Sequence, residues 1–337
     1  MGNQLQQHHP NTKRHKPKKH NVFYRLARWL FPWKGDTGKT VVLKIVFLVF
    51  LVVFLVSGWL LLDYYINDWK AAGEYQFYQQ VMSGETETEP QEEPVVMPEG
   101  YREEFAELHR INERISGWIS IDGTAINYPV VQSYDNDYYL THTLNGSWNS
   151  SGTPFLDYRC SFSPDALPRN SVVYAHNLNS GRMFHDIVNY KSVEYYKEHP
   201  VIHYNTVYQD YDWKIIGMFF TNADMSLEDS FPYHMFIDGT DEEFYALLNE
   251  AMQRSFFTTG VDVNANDKLL MLSTCDNSFD NSRIVLLARM VREGESSEVD
   301  VSAARQNPNQ YLPQNYIDKF GGTYREFDPN YVFYTAS

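Results

Sequence analysis

Cysteine is nearly absent from this chain: Cys160 and Cys275 are the only two in 337 residues. That excludes a disulfide framework and leaves either one structural bridge or thiols kept for chemistry. Acid is nearly absent from the first 44 residues, where Asp36 stands alone against ten Lys/Arg. The remainder reverses the balance, with 18 Lys/Arg against 42 Asp/Glu. A basic head on an acidic body is a signal of topology and offers no basis for nucleic-acid binding. Long apolar runs are absent with one exception, and no internal repeat is visible. No carboxylate cluster or His/Cys spacing has the form of a metal motif, so neither a metal nor another cofactor is expected.

The one exception is IVFLVFLVVFLVSGWLLL, residues 45–62, which carries no charge. Its length is near that needed to cross a hydrocarbon core. Trp59, Tyr64 and Tyr65 stand at its C-terminal end, as interface-seeking rings do. The basic flank precedes it, so the positive-inside rule puts residues 1–44 in the cytoplasm and the rest outside, as a single-pass cell-membrane protein. A cleaved signal peptide fits poorly: the basic region and the apolar run are both too long, and no clear A-x-A site follows. The His/Lys-rich segment HHPNTKRHKPKKH reads as a solvated tail drawn to anionic lipid.

Residues 63–83 can continue the membrane helix outward, and the acidic, proline-bearing segment that follows, to residue 100, reads as a stalk. The folded domain is expected over residues 101–292, with a C-terminal extension of unassigned structure over 293–337. Phe105, Leu108, Ile111 and Ile115 fall on one helical face, with Gly117 as the stop. Asp122 followed by Gly123 between two extended runs marks a hairpin. At least five further short strands follow, rich in β-branched and aromatic residues. One helix interrupts them, capped by a Thr240/Glu243 box and carrying Phe244, Leu247, Leu248, Ala251 and Met252 as its apolar stripe. Short strands with few helices predict a mainly β fold, a closed or nearly closed barrel.

The chemistry concentrates in KLLMLSTCDNSFDNSRIVLLARM, residues 268–290. One strand ends at Cys275, a polar loop follows, and Arg283 opens the next strand. If the two strands pair, thiol and guanidinium meet across the hairpin. A nearby cation favours thiolate and can also serve a developing oxyanion. Ser273 and Thr274, beside the thiol, are candidates to line a substrate groove, or are plain strand residues. A thiol nucleophile needs an imidazole partner. His176, at the end of the apolar strand SVVYAH, is the first candidate and His185 the second; His199 and His203 read as ordinary strand residues. Cys275 as a buried core thiol and Arg283 as a surface charge are the bland alternatives. Cys160 reads as an isolated thiol, against the alternative of a Cys160–Cys275 bridge that would silence the nucleophile.

Taken together, MLSTC followed by Arg283, the histidine segment VVYAHNLNSGRMF, INYPVVQSYDNDYYLTH, GTPFLDYR and the capped helix resemble the class B sortases, membrane-anchored cysteine transpeptidases of Gram-positive bacteria. The resemblance covers about residues 101–292; Met271 departs from the Thr that opens the family's cysteine motif. It implies an eight-stranded β-barrel with an N-terminal helix and an inserted helix before the cysteine strand. It also implies catalysis by Cys275, with His176 as proton carrier and Arg283 as oxyanion stabiliser. The implied substrates are exported proteins bearing a C-terminal sorting signal, cleaved after Thr through a thioester. The acceptor would be a peptidoglycan stem or cross-bridge amine; a pilin lysine, or water as in a peptidase, is the alternative. The tail segment NPNQYLPQNY, residues 307–316, faintly resembles a sorting pentapeptide and is a candidate pseudo-substrate for the groove.

Overall fold

The computed structural model describes residues 21–85, 96–227, 229–275 and 279–335. Residues 1–64 and 65–337 form separate units. The first holds α1 (Val22–Leu30) and most of the apolar part of α2 (Gly38–Met82). By length and composition α2 suits a membrane crossing, and none of its apolar window is buried. Much of the basic tail and of the acidic stalk lies outside the described residues.

In the second unit, residues 65–82 of α2 bury Ala71, Tyr75 and Tyr78. Tyr75 donates to the Gly152 carbonyl and packs edge-on against Tyr128. A short α3 (Ala106–Ile111) leads into β1 (Ile115–Ser120). The single helical face expected through Ile115 is therefore cut at Ile111. Asn112 is the reason: its backbone is extended, its side-chain Oδ1 accepts from Arg114 N, and its Nδ2 donates to Tyr139 Oη and Leu144 O. Gly117 is a strand residue whose missing side chain lets β1 approach its neighbour, since a Cβ there would lie 2.5 Å from Asn205 O.

β1 pairs antiparallel with β2 (Asn127–Gln132), and Gly123 in the connection holds φ +75°. β3 (Phe155–Leu156), β4 (Asn170–Tyr174), α4 (Val193–Glu198), β5 (Val201–Thr206) and β6 (Asp212–Asn222) follow. After them come α5 (Asp241–Arg254), β7 (Phe257–Thr258), β8 (Leu269–Cys275), β9 (Ser282–Met290), β10 (Arg305–Gln306) and α6 (Gln314–Phe320). Eight strands close a barrel in the order β1-β2-β3-β4-β8-β9-β6-β5, as the mainly β reading expected. β4 and β8 run parallel, a pairing that needs a long crossover. That crossover contains α5, whose predicted box is complete: Thr240 Oγ1 accepts from Glu243 N, and Glu243 Oε2 accepts from Thr240 N at 2.8 Å.

The core has two parts. Residues such as Trp213, Tyr204 and Leu272 fill the barrel, while Phe244, Leu248 and Met252 of α5 pack on its outside against Phe219, Val285 and Met271. Alternating side chains of β8 and β9 feed both, which is why these strands read as nearly continuous apolar runs.

The C-terminal residues add to both parts, Ala304 and Tyr316 to the first and Tyr334 to the second. β10 pairs with β7, Tyr311 N donates to Gln253 O, and Tyr334 Oη donates to Val261 O at 3.0 Å. The 307–316 segment thus lies along the end of α5, with Asn307 bonded to Ser255 O and the Tyr316 ring against Phe220. This corrects the pseudo-substrate expectation. Held there, and absent from the lining of the cleft that holds Cys275, the segment does not occupy the groove. Deleting residues 300–337 is expected to destabilise the protein by about 3–6 kcal/mol, the burial of Tyr311 and Tyr334 alone. Denaturant unfolding checks this; a deletion that leaves stability unchanged and raises turnover would restore the pseudo-substrate.

Candidate active site

Three adjacent strands set the site. In the β8–β9 ladder Cys275 pairs directly with Arg283, and Arg283 pairs in turn with Thr221 of β6. On the other side β4 runs parallel to β8 with Tyr174 opposite Ser273, and Ala175 N still donates to Ser273 O at 3.2 Å. Continuing that register by two residues brings His176 beside Cys275. Thiol and guanidinium are thus direct cross-strand partners, and the imidazole stands two residues past the end of β4, on the other side of β8. All three line one open cleft of about 440 Å³, with Leu140, Asn222 and Met225 among its other walls.

Each member is held differently. Cys275 is partly exposed and free. Among the described residues Arg283 has only the neighbouring Ser282 carbonyl as a hydrogen-bond acceptor, at 3.2 Å, and no carboxylate pairs with it. Its charge is left for whatever enters the cleft. His176 Nε2 donates to the Leu140 carbonyl at 2.7 Å. That bond fixes the neutral tautomer with Nδ1 as the acceptor, and Nδ1 has no partner among the described residues.

The loop behind His176 is closed by Phe184 N to His176 O at 2.9 Å and by the Asn177–Met183 bridge, with Met183 at φ 58°. Met183 N donates to Tyr128 Oη, and Arg182 pairs with Asp68 of α2, so the helical segment after residue 65 braces this loop. His185, the second-choice imidazole, donates from Nδ1 to Asn177 Oδ1 at 2.8 Å within the same loop and is not among the cleft residues. His203 lies in β5, bonded to Asp212, whereas His199 ends α4 instead of sitting in a strand.

Ser273 and Thr274 touch the cleft but are 2 % exposed. The Thr274 hydroxyl donates to Ala175 O at 2.8 Å, tying β8 to the His176 segment. The Ser273 hydroxyl shares a 2.6 Å bond with Tyr233 Oη, whose ionisation burial pushes up to about 12. Asp276, Asn277 and Ser278 of the polar loop lie outside the described residues.

Sequence reasoning missed the support for the cleft walls. Asp157 accepts from Tyr174 Oη, Asn136 Nδ2 and Arg159 Nη2 at 2.9, 2.9 and 2.7 Å. The same Arg159 nitrogen donates to His234 O at 2.7 Å. One buried carboxylate thus joins the loop before β3, strand β4 and the loop after β6. The signal available in sequence was the DYR run of GTPFLDYR, an acid and a base two residues apart just past a strand.

The chain gives no match to any protein-family profile. It is 33% identical over 193 residues to sortase B of Listeria monocytogenes serovar 1/2a, covering 56% of this chain and 75% of that one. A Staphylococcus aureus sortase B–substrate complex superposes with a TM-score of 0.55 at 25% identity, covering 67% of this chain and 99% of that one. A sortase B complexed with triglycine gives a TM-score of 0.55 at 25% identity over the same shares. Fold and comparisons together define a cysteine transpeptidase built on an eight-stranded barrel. The chain belongs to the sortase B family.

The two thiols differ sharply. Cys160 is 3 % exposed, its Sγ 3.8 Å from Asn170 O, and burial pushes its pKa up to about 12. It is an isolated core thiol, as expected, and no bridge joins it to Cys275. Alkylation of the native protein near neutral pH is expected to modify Cys275 alone; peptide mapping that finds Cys160 labelled at a comparable rate would contradict this.

Burial would raise the Asp157 pKa, but the hydrogen bonds from Arg159 and Tyr174 outweigh it and hold the carboxyl below its usual range. A depressed native pKa contributes stability above the unfolded value of about 3.9, lost as pH falls through the native value. Asp157→Asn is therefore expected to lower stability by roughly 1.5–3 kcal/mol at neutral pH. The gap to the parent should narrow as pH drops below about 4. Unfolding curves at several pH values check the sign; a gap that widens in acid would be the wrong one.

Proposed function

We propose that this chain cleaves a C-terminal sorting signal after Thr and transfers the exported protein to a peptidoglycan amine, with Cys275, His176 and Arg283 as the catalytic residues. The observation that carries the assignment is the meeting of these three side chains in one cleft, with Cys275 and Arg283 paired across β8 and β9. The Cys275 thiol passes its proton to His176 Nδ1, the resulting thiolate adds to the Thr carbonyl carbon, and the carbonyl oxygen takes up negative charge beside the Arg283 guanidinium. The C–N bond then breaks, the leaving amine takes a proton from His176 Nδ1, and a thioester remains on Cys275. An incoming amine gives its proton back to Nδ1 and adds to the thioester. A new amide forms and the thiolate departs. Protons and electrons balance over the cycle, so no cofactor is required.

Complexes of relatives support both halves: one sortase B holds substrate and another holds triglycine, which presents an amine. Ser273 and Thr274 would shape the groove floor through the bonds to Tyr233 and Ala175. The apolar helix at residues 45–62 would anchor the enzyme in the cell membrane with its N-terminus in the cytoplasm, placing the cleft on the side where exported proteins and wall amines meet.

The test is product mass from a pool of sorting peptides mixed with the full-length protein, with and without a glycyl amine. The expected product is a Thr-terminated fragment joined to the amine, absent with Cys275→Ala. Arg283→Ala should lower kcat by about 10²–10³, the size of an oxyanion donor. Hydrolysis that no amine diverts would mark a peptidase, and joining only to a lysine side chain would mark a pilin polymerase; either overturns wall anchoring.

A further inference from the structure

No residue of the nine in α1 is buried, and Val22, Phe23, Leu26 and Trp29 are 76%, 78%, 52% and 65% exposed. Spacing at i, i+4 and i+7 puts Val22, Leu26 and Trp29 in one stripe, with Phe23 and Leu30 on its flank. Tyr24 and Arg28 take the opposite side, and Arg25 borders the stripe beside Trp29. A helix of this kind is too short to cross a bilayer and has the pattern of one that lies in the interface.

Its place is fixed by the start of α2. Lys44 Nζ donates to the Arg28 and Phe31 carbonyls at 2.8 and 3.1 Å, capping the C-terminal end of α1, and pairs with Asp36 at 2.7 Å. The Trp29 ring packs against Phe47, the third residue of the uncharged run, with centroids 5.7 Å apart. The apolar stripe is thereby held level with the first turn of the apolar span. Asp36 is the only acid in the first 44 residues, and its nearest cation is Lys44, which pairs with it at 2.7 Å.

From this geometry we infer that α1 lies in the plane of the membrane at the end of the span, burying Val22, Leu26 and Trp29 among lipid chains. Arg25 and Arg28 bind anionic headgroups. The occupant of the apolar face is the bilayer itself, because the face is continuous with a surface that lipid must already cover, and because basic residues border it. The inference rests on the reading of residues 45–62 as a membrane anchor, so the test must separate the two.

The full chain carrying Cys275→Ala receives a second change, Leu26→Cys or Arg28→Cys, and a polarity-sensitive fluorophore on the new thiol. It is reconstituted into vesicles of phosphatidylcholine alone or mixed equally with phosphatidylglycerol. The label at position 26 should be quenched several-fold more by a nitroxide high on the lipid chain than by aqueous iodide, and the label at 28 the reverse. Arg25→Gln with Arg28→Gln should weaken protection at 26 in mixed vesicles and leave it unchanged in phosphatidylcholine. Equal exposure of both labels to iodide overturns the inference, as does protection at 26 that rises with the protein-to-lipid ratio, which would seat a second copy there. Alkaline carbonate reports the anchor separately. Release of the protein sinks the anchor and the inference with it; retention with a water-exposed position 26 sinks the inference alone.

Discussion

The site depends on one constraint, the lateral register of β4, β8 and β9. A strand pair fixes which side chains share a row, and a slip of one residue would send every side chain to the other face. Here the β8–β9 ladder sets Cys275 against Arg283, and the β4–β8 ladder, followed past its last pair, sets His176 against Cys275. The register is itself fixed by burial. Met271 faces α5 while Leu270 and Leu272 face the barrel interior, so a shifted strand would drive apolar residues out of both layers at once. The packing that stabilises the fold is what aligns the three groups of the site.

Around those groups the protein spends buried polar groups on position more than on contact with a ligand. Thr274 ties the thiol strand to the histidine segment, Asp157 joins three walls of the cleft, and Asp68 of α2 holds the loop behind His176. Among the described residues Arg283 and Cys275 have no such ties, as suits groups that must meet a substrate. The buried Cys160 shows the contrast: the same side chain, once enclosed, is held as a neutral thiol.

Much of this was legible in the sequence for a physical reason. Strand pairs, the capping box at Thr240 and the thiol–arginine hairpin are local patterns whose geometry follows from spacing alone. The boundary of α3 was misread because the apolar spacing of Phe105 to Ile115 continues past Asn112, and only the tertiary bonds of that side chain show why the helix stops. The tail was unreadable for a related reason. Tyr311 and Tyr334 find their partners on α5 and just beyond it, dozens of residues away, where no periodicity announces them. The Asp157 network was missed because its members are scattered from Asn136 to His234.

The most direct test of the central claim is the intact mass of the full-length enzyme, acid-quenched during turnover of a sorting peptide. The account predicts an added mass equal to the fragment ending in Thr, mapped to Cys275 and discharged by an added amine. Turnover that persists in Cys275→Ala, or an adduct on any other residue, would contradict it.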